Sequence, residues 1–231
     1  MKNTIRQAFT LAEVLITLGI IGIVAAMTLP GVMTDYKKKE IPVRLLKFSS
    51  TLQNAFNLAT IDYGSSVNWN FPSMQNDPDQ TNLFVNTYIF PYLTGLRACD
   101  ADEKKCQRIA KSLYGGNGND RMPVYIFSDG SCFGMITGGS SDLASQLHFI
   151  YDYNCLGKPN EYDKDIFTFY LRQREGKAPK LYAGNFPVLN AHSRQDFLEL
   201  CKNHESTHHS GICAALIEYD GWEIRDDYPW L

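Results

Sequence analysis

Basic residues are in slight deficit: 22 Lys+Arg stand against 25 Asp+Glu in 231 residues, a formal net charge of -3. A surface that tracks nucleic acid needs the opposite balance, so no nucleic-acid partner is expected. No two cysteines have Cys-x-x-Cys spacing, which leaves zinc-ribbon and thioredoxin chemistry without support. A phosphate-binding glycine loop, a Gly-x-Ser-x-Gly elbow and a coherent Ser/His/Asp set are also missing, and with them the common nucleotide and acyl-transfer sites. No internal repeat is present. What the chain does have is 44% hydrophobic and 13% aromatic residues, too much for a disordered polymer. Its length suits one domain, or one domain with an appendage.

Charge is scarce in one long stretch. Residues 1–8 carry Lys2 and Arg6 and no acid. Phe9 then opens the run FTLAEVLITLGIIGIVAAMTLP, which reaches Pro30 with a single charge, Glu13. Phe9 to Leu29 is 21 residues, and at ~1.5 Å per residue this is roughly 31 Å of helix, one hydrocarbon thickness. No small-residue cleavage site follows the run, where Met27-Thr28-Leu29-Pro30 stands, so an ordinary secretory signal does not fit. The small residue at a plausible junction is Ala8, before the run. Glu13 is the anomaly, because a carboxylate at full depth costs about 2.5–3.5 kcal/mol. It either sits at headgroup level or is kept for a partner.

The order Ala8-Phe9-Thr10-Leu11-Ala12-Glu13, an unbroken apolar helix and then Pro30 resembles the leader and first helix of type IV pilins and type II secretion pseudopilins. The resemblance implies cleavage by a prepilin peptidase between Ala8 and Phe9, and methylation of the new Phe9 amine. It implies that Glu13 pairs with that amine on a neighbouring subunit, and that Pro30 kinks the helix. Ala8 stands where the family usually has Gly, a change compatible with slower processing, and Ala12 where a larger aliphatic residue is usual. The implied fold is α+β and pilin-like: a long bent N-terminal helix, its first half in the membrane, packed on a head with a small antiparallel sheet. The divisions are a leader (1–8), a transmembrane and assembly half-helix (9–30), an amphipathic half-helix (31–63) and a globular head (64–231). The implied role is that of a non-enzymatic filament subunit, with other subunits, the peptidase and an inner-membrane assembly platform as partners. The precursor would sit in the bacterial inner membrane with its head outside the cytoplasm, and the subunit would then join a periplasmic or cell-surface filament.

Two signals disagree on orientation. Lys37, Lys38, Lys39, Arg44 and Lys47 follow the apolar run, against Lys2 and Arg6 before it, and a positive-inside count would put the head in the cytoplasm. All six cysteines also follow the run, which favours disulfides in an oxidising compartment. We give the cysteines more weight. Local pairing is expected, Cys99–Cys106, Cys132–Cys155 and Cys201–Cys213, with reduced buried cysteines as the alternative.

Beyond Pro30, Ile41, Leu45, Phe48, Leu52, Phe56 and Ala59 recur at helical spacing and predict an amphipathic continuation to about Tyr63, bent or broken at Pro42. A second helix is expected over Thr81–Thr94, ended or kinked by Pro91, and a structureless loop over 115–120. Strands are expected at Val124–Ser128 and Ser131–Ile136 around the hairpin pair Asp129-Gly130, then at Leu147–Tyr153, Ile166–Arg172 and Lys180–Ala183. Ser193 and Asp196 read as a capping box for a helix to about Asn203, and Cys213–Tyr219 as a last short helix.

Two clusters suggest metals. Asp152, Asn154, Asp163 and Asp165 lie in a polar loop between two strands, and hard oxygen ligands there can hold calcium. The rival is a solvated loop with Asx turns; no cofactor is otherwise required. His204-Glu205-Ser206-Thr207-His208 matches the zinc-peptidase pattern, with Glu223 a conceivable third ligand. Its neighbours are Asn203, His209, Ser210 and Gly211, a polar loop rather than a buried helix, so a membrane-anchored peptidase is the minor alternative. A tip-located binding module is the other.

Overall fold

The computed structural model describes residues 10–74, 76–100, 102–115, 122–137, 146–185, 190–203 and 211–231. Helix α1 (Leu11–Tyr63) is 53 residues long, roughly 80 Å at 1.5 Å per residue. Thr10 starts it as half of a capping box, its side chain accepting from the Glu13 N–H while the Glu13 carboxylate accepts from the Thr10 N–H; the Thr-x-x-Glu spacing is a helix-start signal. Gly64 (φ 71°) ends it, returning its N–H to the Thr60 carbonyl. The helix is uninterrupted through Pro30 and Pro42, so the expected break at Pro42 does not occur. Each proline still lacks an N–H, which leaves the Ala26 and Lys38 carbonyls without their intrahelical donor and favours bending.

The two halves of α1 meet different surroundings. From Leu11 to Leu29 its apolar side chains are exposed, Leu11 at 80% and Met27 at 78%. After Glu40 one stripe is buried: Ile41, Pro42, Leu45, Phe48, Leu52, Ala55, Phe56 and Ala59.

The stripe packs on a six-stranded sheet in which every neighbour is antiparallel and consecutive in sequence. The strands are β1 (Leu96–Ala98), β2 (Val124–Phe127), β3 (Cys132–Thr137), β4 (Gln146–Asp152), β5 (Ile166–Arg172) and β6 (Lys180–Ala183). Alternation sorts their side chains. Tyr125, Phe133, Met135, Phe149, Tyr151, Phe167 and Phe169 share a core with the α1 stripe. Val124, Cys132, Ile150 and Ile166 form a second cluster with helix α3 (Lys104–Tyr114) through Ile109, Ala110 and Leu113. The approach of α3 is close: a Cβ at Gly134 would lie 2.0 Å from the Tyr114 hydroxyl. That hydroxyl donates to the Pro123 carbonyl (2.7 Å) and accepts from the Met135 N–H (3.0 Å), so glycine on β3 makes the docking possible.

The strands lie within a residue of the expected spans, except that β1 was not foreseen. Helix α3 was not foreseen either. Helix α2 runs Pro78–Tyr88 rather than Thr81–Thr94, because Asp77 caps it and Pro78 takes its first turn; Phe90–Tyr92 is a separate 3-10 turn around Pro91. Of the loop expected at 115–120, only Gly115 lies within the described residues, as the left-handed cap of α3. Helices α4 (Arg194–Lys202), capped by Ser193, and α5 (Cys213–Tyr219) complete the head.

Candidate functional site

The exposed half of α1 presents almost no polar surface of its own. The Thr17 and Thr28 hydroxyls donate to the Val14 and Val24 carbonyls (both 3.0 Å), so neither is left unpaired in an apolar medium. Among the described residues α1 is the one helix long and apolar enough to cross a membrane, and its most apolar window is entirely unburied by the head. Glu13 has a partner within the chain: its Oε2 accepts from the Thr10 N–H and hydroxyl, each at 2.8 Å. Ala8 and Phe9, where cleavage and methylation were expected, lie outside the described residues.

Where α1 joins the head, three of the five cations that follow the apolar run are paired. Lys38 meets Asp226 at 2.9 Å; Lys47 and Arg44 meet Asp129 at 2.7 and 3.5 Å, and Arg44 also meets Glu40. Asp129 belongs to the β2–β3 turn and also accepts the Ser131 N–H and hydroxyl. Burial opposes its ionisation, but the Lys47 ammonium and the Ser131 donors outweigh it and hold the carboxyl down at about 2. A carboxyl depressed on folding adds stability above its unfolded pKa of about 3.9 and loses it as pH falls through the folded value. Stability should therefore decline between about pH 4 and 2. Asp129→Asn should remove on the order of 1 kcal/mol of that decline, since solvent still screens the pair. Thermal melts of both proteins at pH 5, 3 and 2 check this, and parallel curves would contradict it.

The expected acidic cluster divides into two. Asp163 caps the amino end of α5, its carboxylate accepting from the Cys213 and Gly211 N–H groups at 2.7 and 3.2 Å. Asp152, Asn154 and Asp165 do come together. Asp152 ends β4, is fully buried, and accepts the Asn154 and Cys155 N–H groups on Oδ1 at 3.0 and 2.7 Å. Asp165 accepts the Asn160 and Glu161 N–H groups at 2.7 and 2.6 Å. Burial pushes the Asp152 carboxyl up to about 7; the Asn154 amide pulls it down and the Asp165 charge raises it further. Asp165 is also raised by burial. Asn160 belongs to this group and was missed in the sequence, where an uncharged residue five positions from Asp165 carries no signal.

Three disulfides brace the head, Cys99–Cys106, Cys132–Cys155 and Cys201–Cys213, each cysteine joined to its neighbour in sequence. Cys132–Cys155 ties the loop after β4 to the start of β3. The aromatic tail is anchored: Tyr228 donates to the Asp163 carbonyl and Trp230 to that of Cys201. His204, Glu205 and His208 lie outside the described residues. Among the described residues, no three His, Cys, Asp or Glu side chains gather as a metal group.

Residues 4–29 match the prokaryotic N-terminal methylation motif. The amino terminus is thus a prepilin-type segment of the type IV pilin and pseudopilin kind, and the motif points to a processed structural subunit rather than an enzyme. An unburied apolar half-helix on an α+β head is consistent with a pilin-like fold and a membrane-anchored precursor. No curated protein and no solved structure matches the chain. Residues 31–231, from the end of the apolar run to the carboxyl terminus, match the model of a family of unknown function (DUF6613), and the chain belongs to that family.

Proposed function

We propose that the protein is a pilin or minor pseudopilin, a structural subunit of a type IV pilus or type II secretion pseudopilus. A prepilin peptidase removes residues 1–8 and methylates Phe9, and the subunit assembles through the first half of α1. The observation that carries this reading is the methylation motif on a helix whose apolar half is left unburied by the described residues. Side chains such as Leu15, Ile21 and Leu29, each more than half exposed, can pack against neighbouring helices, and for a segment that starts in lipid the gain is close van der Waals packing rather than removal from water. Open space around Gly19 and Gly22 allows such helices to come close. Glu13 would exchange Thr10, or share it, for the amine of another subunit.

The lysine-rich stretch is compatible with a head outside the cytoplasm. Lys38, Arg44 and Lys47 are held by acids of the head itself, so a simple count overstates the free positive charge there. The intact mass of the protein from its native membranes tests the proposal. The expected result is loss of residues 1–8, one added methyl and six missing hydrogens; an uncut chain, or a cut one without the methyl, would overturn the maturation.

A further inference from the structure

The hairpin of β5 and β6 gathers positive charge in a chain that is acidic as a whole. Residues 172–180, RQREGKAPK, carry Arg172, Arg174, Lys177 and Lys180 against one acid, Glu175, while the formal net charge of the chain is -3. Arg172 and Lys180 are direct cross-strand partners, and both are exposed. Their neighbours Leu171 and Leu181 belong to the core, so the two cations stand together on the opposite face. Like charges placed this way repel and weaken a sheet. Among the described residues none of the four cations forms an ion pair, whereas Arg44, Lys47, Arg97 and Arg194 all do. The Glu218 carboxylate feels the Lys180 charge from beyond ion-pair distance and accepts from the Ala183 N–H instead.

The turn that carries these cations is held firmly to the end of α1. The buried Ser66 hydroxyl accepts from the Arg174 N–H (3.0 Å) and donates to the Arg174 carbonyl (3.1 Å). The Ser66 N–H donates to the Lys177 carbonyl, and the Ser65 hydroxyl accepts from the Gly176 N–H at 2.9 Å. Arg174 Nε donates to the Ala178 carbonyl, which leaves the outer nitrogens of its guanidinium for a partner. A backbone ordered in advance loses little freedom on binding. Unrelieved repulsion on a fixed ribbon calls for an anion from outside the chain. We infer that the β5–β6 hairpin binds an acidic polysaccharide through Arg172, Arg174, Lys177 and Lys180.

Three observations favour that class of polyanion. The tip, Glu175-Gly176-Lys177-Ala178, has no large apolar side chain to enter a bilayer. It also lies at the end of α1 remote from the apolar run, roughly 50 Å along the helix from Leu29, and so faces away from a membrane holding that run. Single-stranded nucleic acid needs aromatic faces on which bases stack. Tyr182 has Tyr170 stacked on it and Lys180 Nζ at 5.2 Å from its ring centre, so it offers no free face. Duplex DNA, with one charge per ~1.7 Å, would be repelled by the acidic remainder of the chain. A polysaccharide spaces its carboxylates or sulfates by whole sugar rings, which suits four cations on one ribbon. The inference is independent of how the amino-terminal helix is used.

The test is binding of the full chain in detergent to heparin, a sulfated polysaccharide, and to alginate, a carboxylated one. Duplex DNA and phosphatidylglycerol vesicles serve as probes of the other classes. Saturable binding to a polysaccharide is expected, weakening as salt rises. Arg172→Gln combined with Lys180→Gln should weaken it by about tenfold or more, at roughly fivefold per cation near an anionic surface. Lys104→Gln combined with Lys105→Gln, an exposed pair on α3, should leave it unchanged. Arg172→Gln alone should melt at or above the parent without polymer, because it relieves the repulsion, whereas a merely structural Arg172 would give a lower melt. Near-UV circular dichroism establishes folding. Lys177→Gln alters a side chain with no hydrogen bond or ion pair among the described residues, and its weaker binding decides the matter if the double variant is unfolded. No saturable binding to either polysaccharide, tighter binding to DNA or vesicles, or an equal loss in the α3 pair would overturn the inference.

Discussion

Glu13→Ala should leave removal of residues 1–8 largely intact and reduce incorporation into filaments by two to three orders of magnitude. The size follows from the proposed pair. Deleting one member of a buried amine–carboxylate pair costs about 3–5 kcal/mol, because the survivor stays buried without compensation, and each 1.4 kcal/mol is roughly tenfold in association. In the single chain, however, Glu13 also holds the Thr10 N–H and hydroxyl. Alanine therefore removes the Glu13 half of the capping box as well, while the Thr10 hydroxyl still caps the N–H of residue 13. Glu13→Gln separates the two effects. Glutamine serves in a capping box as glutamate does, but it carries no charge to pair with an amine. If the carboxylate acts on a neighbouring subunit, the glutamine protein should fail to incorporate almost as badly as the alanine one. If it only starts the helix, glutamine should be near normal. Sheared filaments and membranes from cells expressing each variant, probed for the mature chain, give the ratio directly. Normal incorporation of both would end the proposed mechanism.

Those two roles of Glu13 show where the sequence was readable. A lone carboxylate in an apolar run stands out by its cost, and its Thr10 partner, three residues away, is marked by the equally local Thr-x-x-Glu spacing. The hairpin at Asp129-Gly130 was legible because its signal is local. Helix α3 was not anticipated, although Cys106, Ile109, Ala110, Leu113 and Tyr114 repeat at helical spacing; with Lys104, Lys105, Arg108 and Lys111 between them the segment resembles an exposed connection. The pairing of the lysines was hidden for a different reason. Lys38 and Lys47 find their acids 188 and 82 residues away, which no window on the sequence can reveal. The loop cluster was half legible: its carboxylates were visible, but which of them turns to α5 is a property of the fold alone.

Phe48→Ala should loosen α1 from the head at a cost of about 3–5 kcal/mol. Phe48 is 2% exposed and is the point at which α1 is held to the sheet. Its ring stacks on Tyr151 at 4.1 Å between centroids and meets Phe169 at 5.0 Å, Phe133 at 5.6 Å, Phe127 at 6.3 Å and Phe149 at 6.5 Å. These partners stand on β2, β3, β4 and β5, so one side chain links the helix to four strands. The cost of such a truncation depends on how far the neighbours can close the gap. An open pocket of about 230 Å³ lined by Lys47, Phe48, Phe127, Asp129 and Tyr151 adjoins the ring, and the space left by the ring would join it. The three disulfides do not compensate, since each joins residues within the head and none reaches α1. Phe48→Leu keeps most of the buried area and should lose less than half as much. Chemical denaturation of the disulfide-intact protein in detergent, read from Trp69 and Trp222 fluorescence, measures both. If Phe48→Ala cost under about 1 kcal/mol, as surface changes do, the helix would be held by its ion pairs to Asp129 and Asp226 instead. The junction would then weaken with salt, as exposed ion pairs do, whereas a junction built on Phe48 should hold as ionic strength rises.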